Sequence, residues 1–125
     1  MKRCFGEHIR RLREELRVRD KRYSLRQVAK RVGIEPSLLS RIERGDSTSI
    51  SEEKIIALAD LLQEDRDSLL ALSGKVSSDV QSVIRKRPKL LAQLIRDLKN
   101  LPDQDVLRIA RGVRDGKMVK VERHD

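Results

Sequence analysis

Two short helical patterns that meet at Gly33 constrain this fold more than any other feature of the chain. They occupy residues 28–46, VAKRVGIEPSLLSRIERGD, and each spans about two helical turns. Gly33 permits the left-handed backbone of a tight turn, and Pro36 suits the first turn of the helix that follows. Helices of this length are marginal in water on their own. The segment therefore predicts two closely joined helices that depend on a core supplied by the rest of the chain.

The remainder of residues 1–73 can supply that core. A stripe of apolar residues at spacings of four, three and four predicts a long amphipathic first helix. Its members are Phe5, Ile9, Leu12 and Leu16. Ser24, Ser51 and Asp65 are each suited to cap a further amphipathic helix. Together with the helix after Gly33, these patterns predict a five-helix domain over residues 1–73.

A second helical region is expected at residues 74–117. The sequence SGK at residues 73–75 marks the expected domain boundary. Pro88 and Pro102 divide the region beyond it into about three helices, the first of which opens at Ser78 with capping-box spacing. Residues 118–125 form a polar tail that is expected to be flexible. Only this tail shows any alternation, and a brief one, so the chain is predicted to be all-α.

The charge of the chain favours an acidic partner. The net charge is +9, and twelve basic against four acidic side chains give residues 1–33 a net of +8. The basic residues of the first helix are expected to form a solvated face, with one or two near phosphates: Arg10, Arg11, Arg13 and Arg17. Charge alone leaves a merely solvated basic surface as the alternative to a polyanion-binding one.

Other partners and chemistries lack the residues they need. No apolar run approaches the roughly 18 residues that would cross a membrane. Cys4 is the only cysteine, which excludes an intrachain disulfide and favours a reducing, cytoplasmic setting. His8 and His124 have no ligand-spaced neighbours, so no metal and no other cofactor is expected. No nucleophile stands beside a suitable base, and no enzyme is predicted.

The helix after Gly33 has an outward face suited to contact with DNA. Leu39 and Ile42 point inward along this helix, Pro36–Arg44. The residues turned outward are Ser37, Leu38, Ser40 and Arg41. Short, polar or cationic side chains of this kind can enter a major groove and contact base edges. The two helices are therefore interpreted as a helix-turn-helix whose second helix reads DNA.

Over roughly residues 5–72 the sequence resembles the Xre family of phage-repressor-like helix-turn-helix regulators. The resemblance rests on IRRLREELR, SLRQVAKRVGIEPSLLSRIERG and SEEKIIALADLLQEDRDSLL. In these segments the caps, the turn and the apolar spacing all agree with that family's five-helix order. The resemblance implies a sequence-specific regulator that binds double-stranded DNA.

The resemblance also implies roles for individual residues. Ser37, Leu38 and Arg41 would read bases, with Arg41 able to make a bidentate contact to guanine. The residues expected near phosphates are Ser24, Arg26, Gln27, Ser40 and Arg44.

Three positions leave alternatives open. Many family members have glutamine where this chain has Leu25, and the next two residues can replace that phosphate contact. Glu35 is expected either to cap the recognition helix or to accept a hydrogen bond from a cytosine amino group. For Arg41, the alternative to base contact is an ion pair with Glu35 or Glu43.

The second helical region is predicted to form a homodimer. Its apolar stripe is too broad for a small helical hairpin to bury. The residues expected in the interface are Leu90, Leu91, Leu94, Ile95, Leu98, Leu101, Val106, Ile109 and Val113. Packing of the stripe against residues 51–72 within one monomer is the alternative. Dimers are what readers of palindromic sites require, which favours dimerisation.

Three functions are compatible with these patterns. The expected one is a dimeric transcriptional repressor that binds a palindromic operator. The second is an interaction module, either an antitoxin or a repressor inactivated by a protein partner that grips or cuts the C-terminal helices. The third is a small-molecule sensor, for which two aromatic residues and short helices offer little of a pocket.

Overall fold

The computed structural model describes residues 2–46 and 49–116, with side chains from Phe5 onward. The predicted tail, residues 118–125, lies outside the described residues. Within them the chain forms α-helices, one 3-10 turn at Lys21–Tyr23 and no strand, so the all-α prediction is confirmed. The helices are α1 (Lys2–Arg17), α2 (Leu25–Val32), α3 (Pro36–Glu43), α4 (Glu52–Leu61), α5 (Arg66–Leu72), α6 (Ser78–Lys86), α7 (Pro88–Leu98) and α8 (Asp103–Arg114).

Local chemistry sets the ends of the first five helices. The hydroxyls of Ser24 and Ser51 and the carboxylate of Asp65 each accept a hydrogen bond from the backbone N–H three residues later, at 3.2, 3.3 and 2.9 Å. These three predicted caps are confirmed, and each satisfies a donor that the helix leaves free. Gly33 ends α2 with a left-handed backbone, φ 87°, and Lys54 Nζ donates to the adjacent carbonyl of Val32 at 3.4 Å. The backbone of Gly33 and the hydrogen bond from Lys54 thus both stabilise the turn between α2 and α3.

The buried core lies within α1 to α5. α1 packs against α3 and α5, α2 packs against α3 and α4, and α4 packs against α5. The core residues are Phe5, Ile9, Val28, Ala29, Val32, Leu39, Ile42, Ile50, Ile55, Leu58, Ala59, Leu62, Leu69 and Leu70. Burial of one leucine or isoleucine side chain contributes about 1.5–3 kcal/mol. The shared core, rather than the propensity of any one helix, therefore holds these short helices in place.

At Gly6, α1 comes very close to the C-terminal turn of α3. A Cβ atom at this position would lie 2.0 Å from the carbonyl oxygen of Ile42 and 3.2 Å from the carbonyl carbon of Glu43. Non-bonded atoms do not approach to 2.0 Å in packed interiors. Only glycine fits here, and it allows α1 to brace the end of α3.

The chain divides into two compact units, the first ending at Gln81 and the second beginning at Ser82. The division falls later than the expected boundary at residues 73–75, because the start of α6 is bonded to the first unit. The backbone N–H and the hydroxyl of Ser78 both donate to Glu52, and Lys75 Nζ donates to the carbonyl of Ile50 at 2.5 Å. The helix α6 begins at Ser78, which is therefore its first residue and not its N-cap.

The second unit exposes much of its apolar surface. α6, α7 and α8 contain no buried residue. The large apolar side chains that are exposed in this unit are Val83, Leu90, Leu94, Ile95, Leu107 and Val113. These side chains give residues 82–116 an exposed apolar surface.

Candidate nucleic-acid interface

α3 is held by apolar side chains on one face and by an ion pair at its end. Leu39 is fully buried and Ile42 retains 3 % of its exposure. Glu43, the last residue of α3, accepts two hydrogen bonds from Arg13 of α1, each at 2.8 Å. The Arg13 and Glu43 side chains are only 4 % and 5 % exposed. The helix α3 is therefore fixed to α1 by a bidentate, buried contact of the strong, charge-assisted kind.

Arg13 has further partners that suit its burial. Its Nη1 donates to the carbonyl of Tyr23 at 3.3 Å, and its Nη2 lies 3.3 Å from Glu14. The hydrogen bond to Glu43 raises the pKa of Arg13 above its ordinary value, against the opposing effect of burial. Arg13 is thus a structural residue, and the expectation that it belongs to a solvated basic face is wrong. Its position four residues after Ile9 places it on the apolar stripe of α1, which is the sequence signal for its burial.

The outward face of α3 presents the side chains expected to contact DNA. Ser37 and Arg41 are exposed, and Ser40 is half-buried. Leu38 is also half-buried and packs against the core with part of its side chain, so only its remaining surface faces outward. Glu35 occupies the N-cap position, but its side chain makes no capping hydrogen bond.

Arg41 has no ion pair within the described residues. The alternative partner on its own helix, Glu43, is instead bonded to Arg13. The Arg41 guanidinium therefore projects from a firmly held helix with its hydrogen-bond donors available, which is the arrangement that bidentate recognition needs.

The helical fold of the first unit agrees with the comparison with known families. A family model described as a helix-turn-helix domain matches residues 5–72, more than half of the chain. The chain belongs to this helix-turn-helix family. No curated protein and no solved structure matches it. Family membership supports a DNA-binding regulator, and proteins with this domain are typically not enzymes.

The start of α2 lies beside the recognition helix in the helix-turn-helix and carries the other residues expected near DNA. Arg26 and Gln27 are exposed on its first turn. The Ser24 oxygen accepts from the Gln27 backbone N–H at 3.2 Å, and its hydroxyl hydrogen can still be donated to a phosphate. The positive end of the α2 dipole strengthens the attraction for an anion at this place.

The basic residues around α2 differ in whether they are already engaged. Arg22 donates to both carboxylate oxygens of Asp20, with a shortest distance of 2.8 Å, and this hydrogen bonding lowers the pKa of Asp20 to about 2. The Arg31 guanidinium lies over the Tyr23 ring, 5.3 Å from its centre. Lys30 and Arg26, by contrast, are exposed and have no ion pair within the described residues. These two are the cations of α2 that a polyanion can engage without breaking an existing contact.

A cleft between α1, α2 and α3 brings an arginine of the first helix beside residues that are expected near phosphates. Its lining includes Arg10 of α1, Leu25 of α2, and Ser40 and Arg44 near the end of α3. Arg44 forms a long ion pair with Asp46, 3.6 Å, in which both side chains are more than half exposed. Exposed pairs of this kind contribute little, so Arg44 can exchange Asp46 for a phosphate. Arg10 is one of the four arginines of the first helix of which one or two were expected near phosphates, and the packing of α1 on α3 brings it to the same cleft as Arg44.

Leu25, which departs from the Xre pattern, has a structural role. Its side chain is half-buried and packs against the core, and it forms one wall of the cleft beside Arg10. It offers no hydrogen bond to a phosphate. Arg26 and Gln27 are the side chains next to it that can supply one.

Other chemistry finds little support in the part of the chain that the structure describes. No group of three histidine, cysteine, aspartate or glutamate side chains is placed to hold a metal ion among these residues. No helix there is long and apolar enough to span a bilayer.

Proposed function

We propose that the protein is a sequence-specific transcriptional repressor of the Xre type, which binds a palindromic operator as a homodimer through α3. The observation that carries this proposal is Arg41, exposed and without an ion pair in the described residues, on a helix that the Arg13–Glu43 contact fixes in place. An arginine with free donors on a helix that is fixed in place can make the bidentate contact that distinguishes guanine from the other bases.

The two sets of DNA contacts have different consequences for recognition. Ser37, Arg41 and the exposed part of Leu38 face base edges and determine the sequence that is bound. The phosphate contacts come from side chains around the first turn of α2 and the end of α3: Ser24, Arg26, Gln27, Ser40 and Arg44. These contacts supply affinity and orientation but no direct sequence preference.

Homodimerisation follows from the reach of α3 and from the surface of the second unit. An eight-residue helix is about 12 Å long and reaches only a few base pairs, whereas specificity is gathered at roughly 1–3 kcal/mol per base pair. The exposed Leu90, Leu94 and Ile95 give the second unit a surface for a second copy.

The same apolar surface supports a second candidate function. A protein partner of the antitoxin type, or one that inactivates a repressor through its C-terminal helices, could cover α7 and α8 in place of a second copy. A chain that is monomeric at the concentrations at which it binds DNA would favour this candidate. A stable dimer would favour the homodimeric repressor.

Selection of bound duplexes from random sequence tests the proposed roles. The native protein should enrich an inverted repeat whose half-site centres lie about 34–36 Å apart, or a small multiple of that distance. Arg41→Ala should weaken binding by about 1–3 kcal/mol and relax the preference at one position in each half-site. Arg26→Ala is the matched control, because it removes the same side chain from α2 and should weaken all sequences alike.

Two outcomes would contradict the proposal. An unchanged preferred sequence in Arg41→Ala would remove Arg41 from base reading. Enrichment of a single asymmetric site at full affinity would exclude the dimer and the palindrome, while leaving DNA binding by the helix-turn-helix intact. A reporter gene placed behind the selected operator then distinguishes repression from activation.

A further inference from the structure

One face of α8 carries opposite charges at its two ends. Its residues follow spacings of four, three and four: Asp103, Leu107, Ala110 and Arg114. We call these four residues the α8 strip. All four are exposed, and Leu107 retains 50 % of its exposure. The strip begins acidic, is apolar at its centre and ends basic.

The charges of the α8 strip are not matched within the described part of the chain. Asp103 forms no ion pair there, although it lies in the first turn of α8 with Asp105. The Arg114 Nε donates to the carbonyl of Ala110 in the same helix at 3.4 Å, and its terminal nitrogens form no ion pair within the described residues. Both ends of the strip thus have free capacity for a partner of opposite charge.

The α8 strip is complementary to a reversed copy of itself. In an antiparallel pair, Asp103 of one helix lies opposite Arg114 of the other, and Leu107 lies opposite the small Ala110. Alternating spacings of four and three are those of the facing positions in coiled coils. A parallel pair would instead place Asp103 beside Asp103 and Arg114 beside Arg114, where like charges repel. The charge order therefore selects the antiparallel arrangement.

We infer that the α8 strip joins two copies of the chain in an antiparallel pair about a two-fold axis, with Asp103 bound to Arg114 of the partner subunit. Two-fold symmetry makes this ion pair occur twice. The inference rests on the proposed homodimer. It adds the antiparallel orientation of the two α8 helices and the charged residues that determine this orientation. The strip is only about 16 Å long, and a stable interface buries about 800 Å² on each partner. The remaining apolar area would come from Leu90 and Leu94 of α7, which are exposed.

Charge exchange in the full-length protein tests this inference. Asp103→Arg alone, or Arg114→Asp alone, places like charges at both symmetric contacts and should weaken self-association by roughly tenfold or more. An equimolar mixture of the two variants restores opposite charges at both contacts, and it should form heterodimers at close to native strength. The double variant should recover homodimers for the same reason. Sedimentation velocity measures self-association, and energy transfer between differently labelled chains measures the heterodimer.

Matched controls separate the α8 strip from effects on the helix itself. Asp105→Arg and Arg111→Asp change the same charges in the same first and last turns of α8, but at positions outside the strip. They alter the interaction with the helix dipole equally and should change self-association by less than about twofold. If they weaken it as much as the strip variants do, the inference is overturned.

The remaining outcomes distinguish this inference from the proposed function. A native dimer whose mixed variants fail to form heterodimers would overturn the α8 arrangement and leave the dimer standing. A native protein that is monomeric while bound to DNA would overturn the dimer and the α8 arrangement together, and would leave DNA binding by α3 unaffected.

Discussion

Substitution of Gly6 by alanine should separate α1 from the recognition helix. The added Cβ would lie 2.0 Å from the carbonyl oxygen of Ile42, whereas contacts under 3.0 Å essentially never occur. The two helices must therefore move apart by about 1 Å, because the opposing atom is backbone and cannot rotate away. Overpacking of this kind costs about 1–3 kcal/mol. Because a backbone carbonyl can move only slightly, overpacking should lower the unfolding free energy by about 3 kcal/mol. The higher helix propensity of alanine offsets about 1 kcal/mol of this loss. The expected net loss is about 2 kcal/mol.

The displacement should also reduce DNA binding, because Ile42 lies within one turn of the α3 residues that are proposed to face the groove. Productive contacts tolerate errors of only about 0.5 Å, so specific affinity should fall by about tenfold. Urea unfolding followed by helical circular dichroism measures the stability, and fluorescence anisotropy with a labelled operator measures the affinity.

Gly74→Ala is the matched control for this experiment. A Cβ at Gly74 would meet nothing within 4 Å, but the residue has a φ of +83°. Its substitution should cost about 1–2 kcal/mol through the backbone conformation alone, with no effect on DNA affinity. A Gly6→Ala protein that matches the native one in both stability and affinity would refute the close contact between α1 and α3.

Three further predictions concern the interface, the charge and the response to acid. Leu94→Asp should abolish self-association while helical circular dichroism is largely retained, because the substitution places a charge on the exposed face of α7; global unfolding would instead place Leu94 in a monomer core. For a dimer that neutralises about six to ten phosphates, log affinity for duplex DNA should fall with log salt concentration at a slope of roughly −5 to −9, and a slope near zero would remove the DNA-binding role. The side chain of His8 donates a hydrogen bond to Glu64 at 2.6 Å, and this contact lowers the pKa of Glu64 from its ordinary value of 4.5. Ionised Glu64 therefore stabilises the fold above about pH 4.5. This stabilisation is lost as the pH falls through the lowered pKa of the folded state. On acidification below about pH 5, Glu64→Gln should therefore lose less unfolding free energy than the native protein, as measured by urea unfolding. An equal loss in the two proteins would contradict a stabilising role for ionised Glu64.

The helices of the first unit could be predicted because their signals are local. Ser24, Ser51 and Asp65 cap helices through hydrogen bonds to the backbone three residues away, a distance fixed by helical geometry. Gly33 has the left-handed backbone that the turn requires. For the same reason the outward face of α3 follows from its inward face, since Leu39 and Ile42 fix the rotation of the helix.

The contacts between helices could not be predicted in the same way. Arg13 and Glu43 are thirty residues apart in the sequence, and each reads as one more charge in a chain rich in charges. Gly6 lies within an amphipathic pattern, where glycine has no evident purpose until α3 is placed against it. Arg10 reaches the cleft for the same reason. Each of these contacts depends on the relative position of two helices, and the periodicity within one helix gives no information about that position.

The hydrogen bond between Glu52 and Ser78 shows a similar limit at the domain boundary. Glu52 has the position of a favourable first-turn residue in α4, and this role accounts for it completely in the sequence. In the structure it also accepts two hydrogen bonds from the start of α6. A side chain whose position in its own helix is already explained can therefore also have a distant partner that the sequence pattern does not reveal.

The buried contact between Arg13 and Glu43 limits how this domain can change by mutation. Loss of either partner alone strands a charge in a dry interior, at a cost of about 3–5 kcal/mol, which is a large share of the roughly 5–15 kcal/mol that holds a domain folded. Replacement of both by apolar side chains of similar volume is often neutral or stabilising. An ion-paired version and an apolar version of this crossing can therefore both be stable, while the single-step intermediates between them are less stable than either. Replacements at these two positions should therefore occur in pairs. A library that varies one position at a time would not find the stable apolar pair.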